Sequence, residues 1–301
     1  MRICDFSGAG QKNSLNAAKL LPDTGGRKMT EYRHKESMFR EFCARLHGEN
    51  SGLVHSYANA LNTLDELFAA YNPLGISGSV WDIYDESLLM EIYRFIKSEE
   101  HSPSPDVLAA FPEGRSSHLR NRFCSSAVLK LISFNKESLA VERAVHDADS
   151  AEDLGRRLAE LLRECGRGDA GGTAGDAGQY LFRQALMKIY GWRCAVTGIS
   201  APPVLTACRI SERAKDTADR LSPANGICLS ATFAVAFGHH LIAFGRDSRM
   251  MIAPAMRQYL EDDATRRCFE PYEGKMMILP SDGRFLPDQK LLGYHRRQCG
   301  L

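Results

Sequence analysis

The sequence predicts an α+β protein: a helical N-terminal domain followed by a smaller unit of short strands and helices. Three observations predict it. Apolar residues recur at helical spacing through residues 31–167. The stretch GDAGGTAGDAG at 168–178 has no apolar anchor and reads as a flexible linker. Beyond it, in 179–301, short apolar runs are punctuated by Gly, Pro, Asn and Asp, the pattern of short strands and tight turns.

In chain order, residues 1–30 are polar and rich in Gly, Ser and Asn, so a disordered extension is expected there, and Met29 offers an alternative start. Met38, Phe39, Phe42 and Leu46 mark a first helix, and Leu53, Tyr57, Leu61, Leu64 and Leu67 a second. Residues 79–85 alternate like a short strand. Asp85 or Ser87 is placed to cap the next helix, whose apolar stripe is Leu88, Leu89, Ile92, Tyr93 and Ile96. Pro103 and Pro105 mark a loop, and a helix is expected over 116–134. Residues 151–167 form an amphipathic helix with Leu154, Leu158, Leu161 and Leu162 on one side. After the linker come a helix over 179–190, strands over 193–198 and 204–210, and a helix near 230–237. A hairpin at 241–252, a short strand at 275–279 and a C-terminal helix or extended tail from 286 complete the expectation.

With 301 residues the chain is long enough for two domains, and its 44% hydrophobic and 25% charged residues are ordinary for a globular protein. The net charge of +1 excludes an overall polyanion binder but not a locally basic face. Nine cysteines are scattered singly with no C-x-x-C pair, which argues against a zinc ribbon and for reduced thiols in a cytoplasmic setting. No leader-like apolar segment and no membrane-spanning run is read from the sequence, so no membrane partner is expected. Glycines 171, 172 and 175 lack the strand and the Lys-Ser/Thr that a nucleotide-binding loop needs.

The most informative residues lie between 183 and 242. Tyr190-Gly191 makes a turn, Cys194 to Gly198 spell C-A-V-T-G, and Asn225 to Leu229 spell N-G-I-C-L. This stretch resembles the HNH endonuclease family, in a subgroup common in bacterial restriction-type proteins. The pattern there runs C-A-[VI]-T-G, A-x-H-I, N-G-[LI]-x-L, a short helix with His or Asp, then L-F-D-x-G-L-I. Resemblance to that family implies a ββα-metal fold, duplex DNA as substrate and phosphodiester hydrolysis. The family's strand histidine is the general base, its loop asparagine orients the backbone that holds the base, and its helix residues bind the divalent metal. Ser51 to Leu61, the run S-V-W-D-I-Y-D at 79–85 with the helix after it, and Ser126 to Phe134 also resemble the helical module that often precedes nuclease domains in bacterial defence proteins.

This sequence departs from the pattern where the chemistry resides. Arg209 occupies the histidine position of A-x-H-I, Thr232 and Ala234 the ligand positions of the short helix, and Gly238 the aspartate of L-F-D. A guanidinium stays protonated and has no lone pair, so Arg209 cannot act as base. Alanine offers no donor atom, and a lone threonine hydroxyl is a poor ligand for Mg²⁺. No cofactor is therefore expected; Mg²⁺ or Mn²⁺ is required only if His239 or His240 forms a rearranged site with Asp216 or Asp219. Arg209 either pairs with a phosphate or forms a salt bridge with Asp216 or Asp219. Asn225 either keeps the family role or merely supplies an Asn-Gly turn. Cys194 and Cys208 read as small buried hydrophobes.

A second candidate phosphate contact is the cluster Arg115, Arg120 and Arg122 at a helix start, with a solvated basic turn as the plain alternative. The expected function is a DNA-binding, HNH endonuclease-like protein of restriction or defence type that no longer cuts. The alternatives are an active nuclease with a rearranged site and a protein-interaction scaffold. DNA, a partner nuclease and a second copy of the chain are the partners these readings imply.

Overall fold

The computed structural model describes residues 25–48, 51–102, 123–165, 174–213 and 216–301. Helix α1 (Gly25–His47) packs on α2 (Gly52–Tyr71) and α4 (Phe123–Asp147), and α4 in turn packs on α2 and on α3 (Glu86–His101); α5 (Ala151–Cys165) and α6 (Ala174–Ile189) follow. The disorder expected for 1–30 is corrected in part, because residues 25–30 belong to α1. Residues 174–178 of the expected linker likewise form the first turn of α6. Ala174 and Ala177 favour helix there once the downstream face of α6 is buried. Arg115, Arg120 and Arg122 lie outside the described residues.

The helical half is built around a cluster of aromatic rings packed edge to face. Phe39 meets Trp81 and Phe134 edge-on at 5.3 and 5.7 Å, and Phe42 meets Phe134 at 5.8 Å. Residues 79–85 do not form a strand. Ser79 caps a single 3₁₀ turn over Val80–Asp82, which buries Val80 and Trp81, while Asp65 accepts from Ser79 Oγ and the Val80 amide. Asp85 caps α3 through the amides of Ser87 and Leu88, and the helix buries Leu89, Ile92 and Ile96.

The C-terminal half holds two small antiparallel sheets. Strand β1 (Leu205–Arg209) pairs with β2 (Gly226–Ser230) in a register that sets Arg209 opposite Gly226. Between them stands the short helix α7 (Thr217–Leu221), and directly after β2 comes α8 (Ala231–Gly238). The hairpin β3 (Ile242–Phe244) and β4 (Met250–Ile252) turns at 245–249 as the sequence indicates. Helices α9 (Pro254–Arg257), α10 (Asp263–Phe269) and α11 (Gln289–Gln298) complete the chain. Residues 275–279 form only an isolated bridge, Met276 to Arg249.

Residues 193–198 are a turn and not a strand. Cys194 N donates to Ile199 O and Gly198 N to Cys194 O, with Gly198 at φ +72. A left-handed residue at that point closes the loop and forbids an extended run. The missing strand is β2, whose five residues are all buried.

One continuous hydrophobic core joins the two halves among the described residues. Phe42 of α1 contacts Tyr180 of α6 at 6.3 Å. Arg183 forks onto Glu41 at 2.7 and 2.9 Å and also donates to the carbonyls of Pro202 and Leu205. A Cβ on Gly155 would lie 2.4 Å from the Ala218 carbonyl oxygen, so glycine allows α5 and α7 to touch backbone to backbone. No helix among the described residues is long and apolar enough to cross a membrane.

Candidate functional site

Asn225 is buried at 4% exposure, just before β2. Its side-chain oxygen accepts from Ser211 N at 2.9 Å and its amide donates to Ser211 O at 2.9 Å. Its own carbonyl accepts from Ile210 N at 3.0 Å. Three hydrogen bonds therefore hold the backbone that leaves β1, next to Arg209. The plain turn reading of Asn225 is insufficient. Gly226 is not a turn glycine either, since its φ is −140. A Cβ there would come within 2.6 Å of the Phe182 ring and 2.9 Å of Leu186 Cδ1, so α6 requires glycine at the start of β2.

Arg209 projects onto α6. It donates to Gln179 Oε1 and to the Arg220 carbonyl, and its guanidinium stacks 4.8 Å from the Phe182 ring centroid. Burial lowers its pKa from the ordinary guanidinium value, while Glu212 opposes and Arg220 reinforces the shift. Among the described residues it forms no ion pair with Asp216 or Asp219, which corrects the salt-bridge alternative. Asp216 instead caps α7 through Asp219 N.

Thr232, Ala234 and Gly238 lie on α8, which packs against β1, β2 and β3. Thr232 opens with Ala231, Val235, Met256, Tyr259 and Phe269 onto an apolar groove. At these three positions α8 presents neither carboxylate nor imidazole, and the Arg209 guanidinium is turned onto α6, so these residues do not fit a divalent cation. The rearranged alternative is not assembled. Among the described residues, the His/Cys/Asp/Glu group close enough to hold a metal is His240, His295 and Cys299, without Asp216, Asp219 or His239.

Cys194 is more than a small hydrophobe. Its sulfur accepts from Thr197 N at 3.4 Å and Ser230 N at 3.1 Å, pinning the 194–198 turn to the end of β2. Burial alone would raise its pKa; the hydrogen bonds from Thr197 and Ser230 outweigh that and lower it from the usual thiol value. Cys208 is different, for burial pushes its thiol up to about 12.

One basic surface is not apparent in the sequence. Arg246, Gln289, Lys290, Gly293, Arg296 and Arg297 line a shallow pocket at α11. Arg213 and Arg297 flank Tyr294, at 5.1 and 5.8 Å from its ring. Among the described residues, Arg213, Arg246, Lys290 and Arg297 are in no ion pair. These cations are scattered from 213 to 297, and only the docking of α11 beside the hairpin brings them together. The nearest sequence signal is the run Tyr294 to Arg297 in the last helix.

No curated protein matches the chain. Residues 194–245, which contain the 194–198 turn, both strands of the first sheet, the Asn225 clamp and α8, match the family model described as HNH endonuclease.

Proposed function

We propose that this protein is a DNA-binding relative of HNH endonucleases, of restriction or defence type, that holds DNA without hydrolysing it. Strands β1 and β2 with α8 correspond, in this reading, to the ββα-metal unit of the family. The observation that carries it is an intact Asn225 clamp beside a base position occupied by Arg209. The clamp has outlived the residue it served, while Thr232, Ala234 and Gly238 offer no metal ligand set. The unpaired cations at α11 support phosphate contact, because sequence-independent affinity for DNA comes from Lys and Arg on backbone phosphates.

Two assays on the full-length protein test the proposal. Supercoiled plasmid is incubated with Mg²⁺, with Mn²⁺ and without metal, and duplex binding is followed by fluorescence anisotropy across a salt series. The expected result is salt-sensitive binding with no nicking. Metal-dependent cleavage that Asn225→Ala abolishes would reject the non-cutting reading.

A second reading, a protein-interaction scaffold, is favoured by the apolar groove over Thr232 and Val235. Absence of DNA binding, together with self-association or capture of a partner nuclease that Val235→Asp abolishes, would replace the first reading with this one.

A further inference from the structure

The end of α8 and the C-terminal helix α11 bring three donor side chains together. One donor atom from each of His240, His295 and Cys299 lies within 4.8 Å of the other two. We infer that these residues form a zinc site with water as the fourth ligand, separate from the base and ligand positions at Arg209, Thr232 and Ala234.

His295 and Cys299 are four residues apart at the end of α11, which puts both on one helical face. Cys299 Sγ stands 3.6 Å from His295 Nδ1. Zinc bonds of about 2.0–2.1 Å to nitrogen and about 2.3 Å to sulfur, opened to the tetrahedral angle, separate the two donors by about 3.6 Å. The pair is already at ligand spacing.

The tautomer of His295 suits a ligand. Its Nε2 lies 3.0 Å from the Phe237 carbonyl, which can only accept, so Nε2 carries the proton and the Nδ1 lone pair faces the thiol. A backbone carbonyl holding the second N–H is how ligating imidazoles are commonly oriented. The ring also stacks on Phe237, with centroids 3.8 Å apart and planes 10° apart, and is 3% exposed. Its orientation is thus set by the protein alone.

His240 supplies the third donor from the exposed side; its Nδ1 lies 3.3 Å from His295 Nε2, the nitrogen that also faces the Phe237 carbonyl, so its ring has to turn toward the Nδ1 side to complete the site. Because His240 is exposed, rotating it to meet the other two donors costs little. Its backbone sits at φ +58, the left-handed region, at the place where the family pattern L-F-D-x-G has glycine. A side chain with a Cβ is strained in that region.

A thiolate with two imidazoles selects Zn²⁺ over Mg²⁺ or Mn²⁺. On binding, the Cys299 S–H bond breaks, its proton passes to solvent and a zinc–sulfur bond forms; both histidines bind as neutral bases, so one proton is released per metal. The metal would fasten the C-terminal helix to the junction of α8 and β3.

Full-length protein, reduced and stripped of metal, is titrated with Zn²⁺ against a chromogenic chelator, and separately with Co²⁺, whose thiolate charge-transfer band reports a metal–sulfur bond. The expected result is a single equivalent of tightly bound Zn²⁺ and a charge-transfer band that Cys299→Ser removes. His240→Ala, which alters only an exposed ring, is expected to weaken Zn²⁺ binding by about tenfold or more. Lack of stoichiometric Zn²⁺ binding, or a band that persists in Cys299→Ser, overturns the site. If Cys299→Ser does not fold, unchanged affinity in His240→Ala rejects it equally.

Discussion

At position 209 a guanidinium stands where the HNH pattern has a base, and its neighbours limit what it can do. Stacked on Phe182 and bonded to Gln179, it feels the charge of Glu212 but is in no direct ion pair among the described residues. If that charge meets a phosphate, Arg209→Ala weakens duplex binding and lowers the log–log salt slope by about one. An unchanged slope in the anisotropy series would leave Arg209 a packing residue. Arg209→His alone is expected to give no cleavage of plasmid, because Thr232, Ala234 and Gly238 still bring no ligand. Asn225 carries a structural load that can be read separately. Removing its amide leaves the Ser211 N–H and C=O without their buried partner, so Asn225→Ala should cost about 2 kcal/mol in urea unfolding. A loss below about 0.5 kcal/mol would mean that the clamp is dispensable. Lys35 titrates by a different logic. Burial lowers it to about 8, against the opposing charge of Asp82. The unfolded chain therefore binds the proton more readily between about pH 8 and the ordinary lysine value, and stability rises with pH across that window. In Lys35→Met this rise should disappear from denaturation curves measured from pH 7 to 10.

Elements whose signals are local were legible in the sequence, and those defined by a distant partner were not. Asp85 capping α3 and the hairpin at 241–252 follow from side chains within a few residues of each other. The 194–198 segment reads as a strand because Cys194, Ala195 and Val196 are apolar, but its path is set by Gly198 and by a sulfur that accepts from Ser230, 36 residues away. Strand β2 was hidden for the converse reason: Gly226 and Ser230 lower its strand propensity, while burial between α6 and β1 imposes it. The Asn225 role was available only through the family pattern, since its partner Ser211 is 14 residues distant. The same packing makes Gly226 testable. Gly226→Ala would drive a methyl into Phe182 and Leu186, and overpacking of this kind costs about 1–3 kcal/mol. The expected result is a lowered urea midpoint with an unchanged slope; wild-type stability would show that α6 gives way freely.

Across the whole molecule, α6 links the two halves, because its residues are buried against α1 and α4 on one side and against β1 and β2 on the other. That packing, with the Arg183–Glu41 fork, makes the family-matching part depend on the helical half for its shape. It also places the DNA question on a surface that no short peptide of this chain reproduces. Arg213, Arg246, Lys290 and Arg297 come from a loop, a hairpin turn and α11, so their joint positive field exists only in the folded protein. Abolishing one protein–phosphate pairing takes about 0.9 from the log–log salt slope on duplex DNA. The double substitution Arg246→Ala with Lys290→Ala should therefore lower the slope by about 2 and weaken binding alike on unrelated sequences, because phosphate contacts carry no base information. Lys136→Ala, on the helical half where the lysine is paired with Glu86, serves as the control and should leave the slope unchanged. If the double variant retains the wild-type slope, duplex DNA does not lie along α11. If wild type and variant both fail to bind, the apolar groove over Thr232 becomes the working face of the protein.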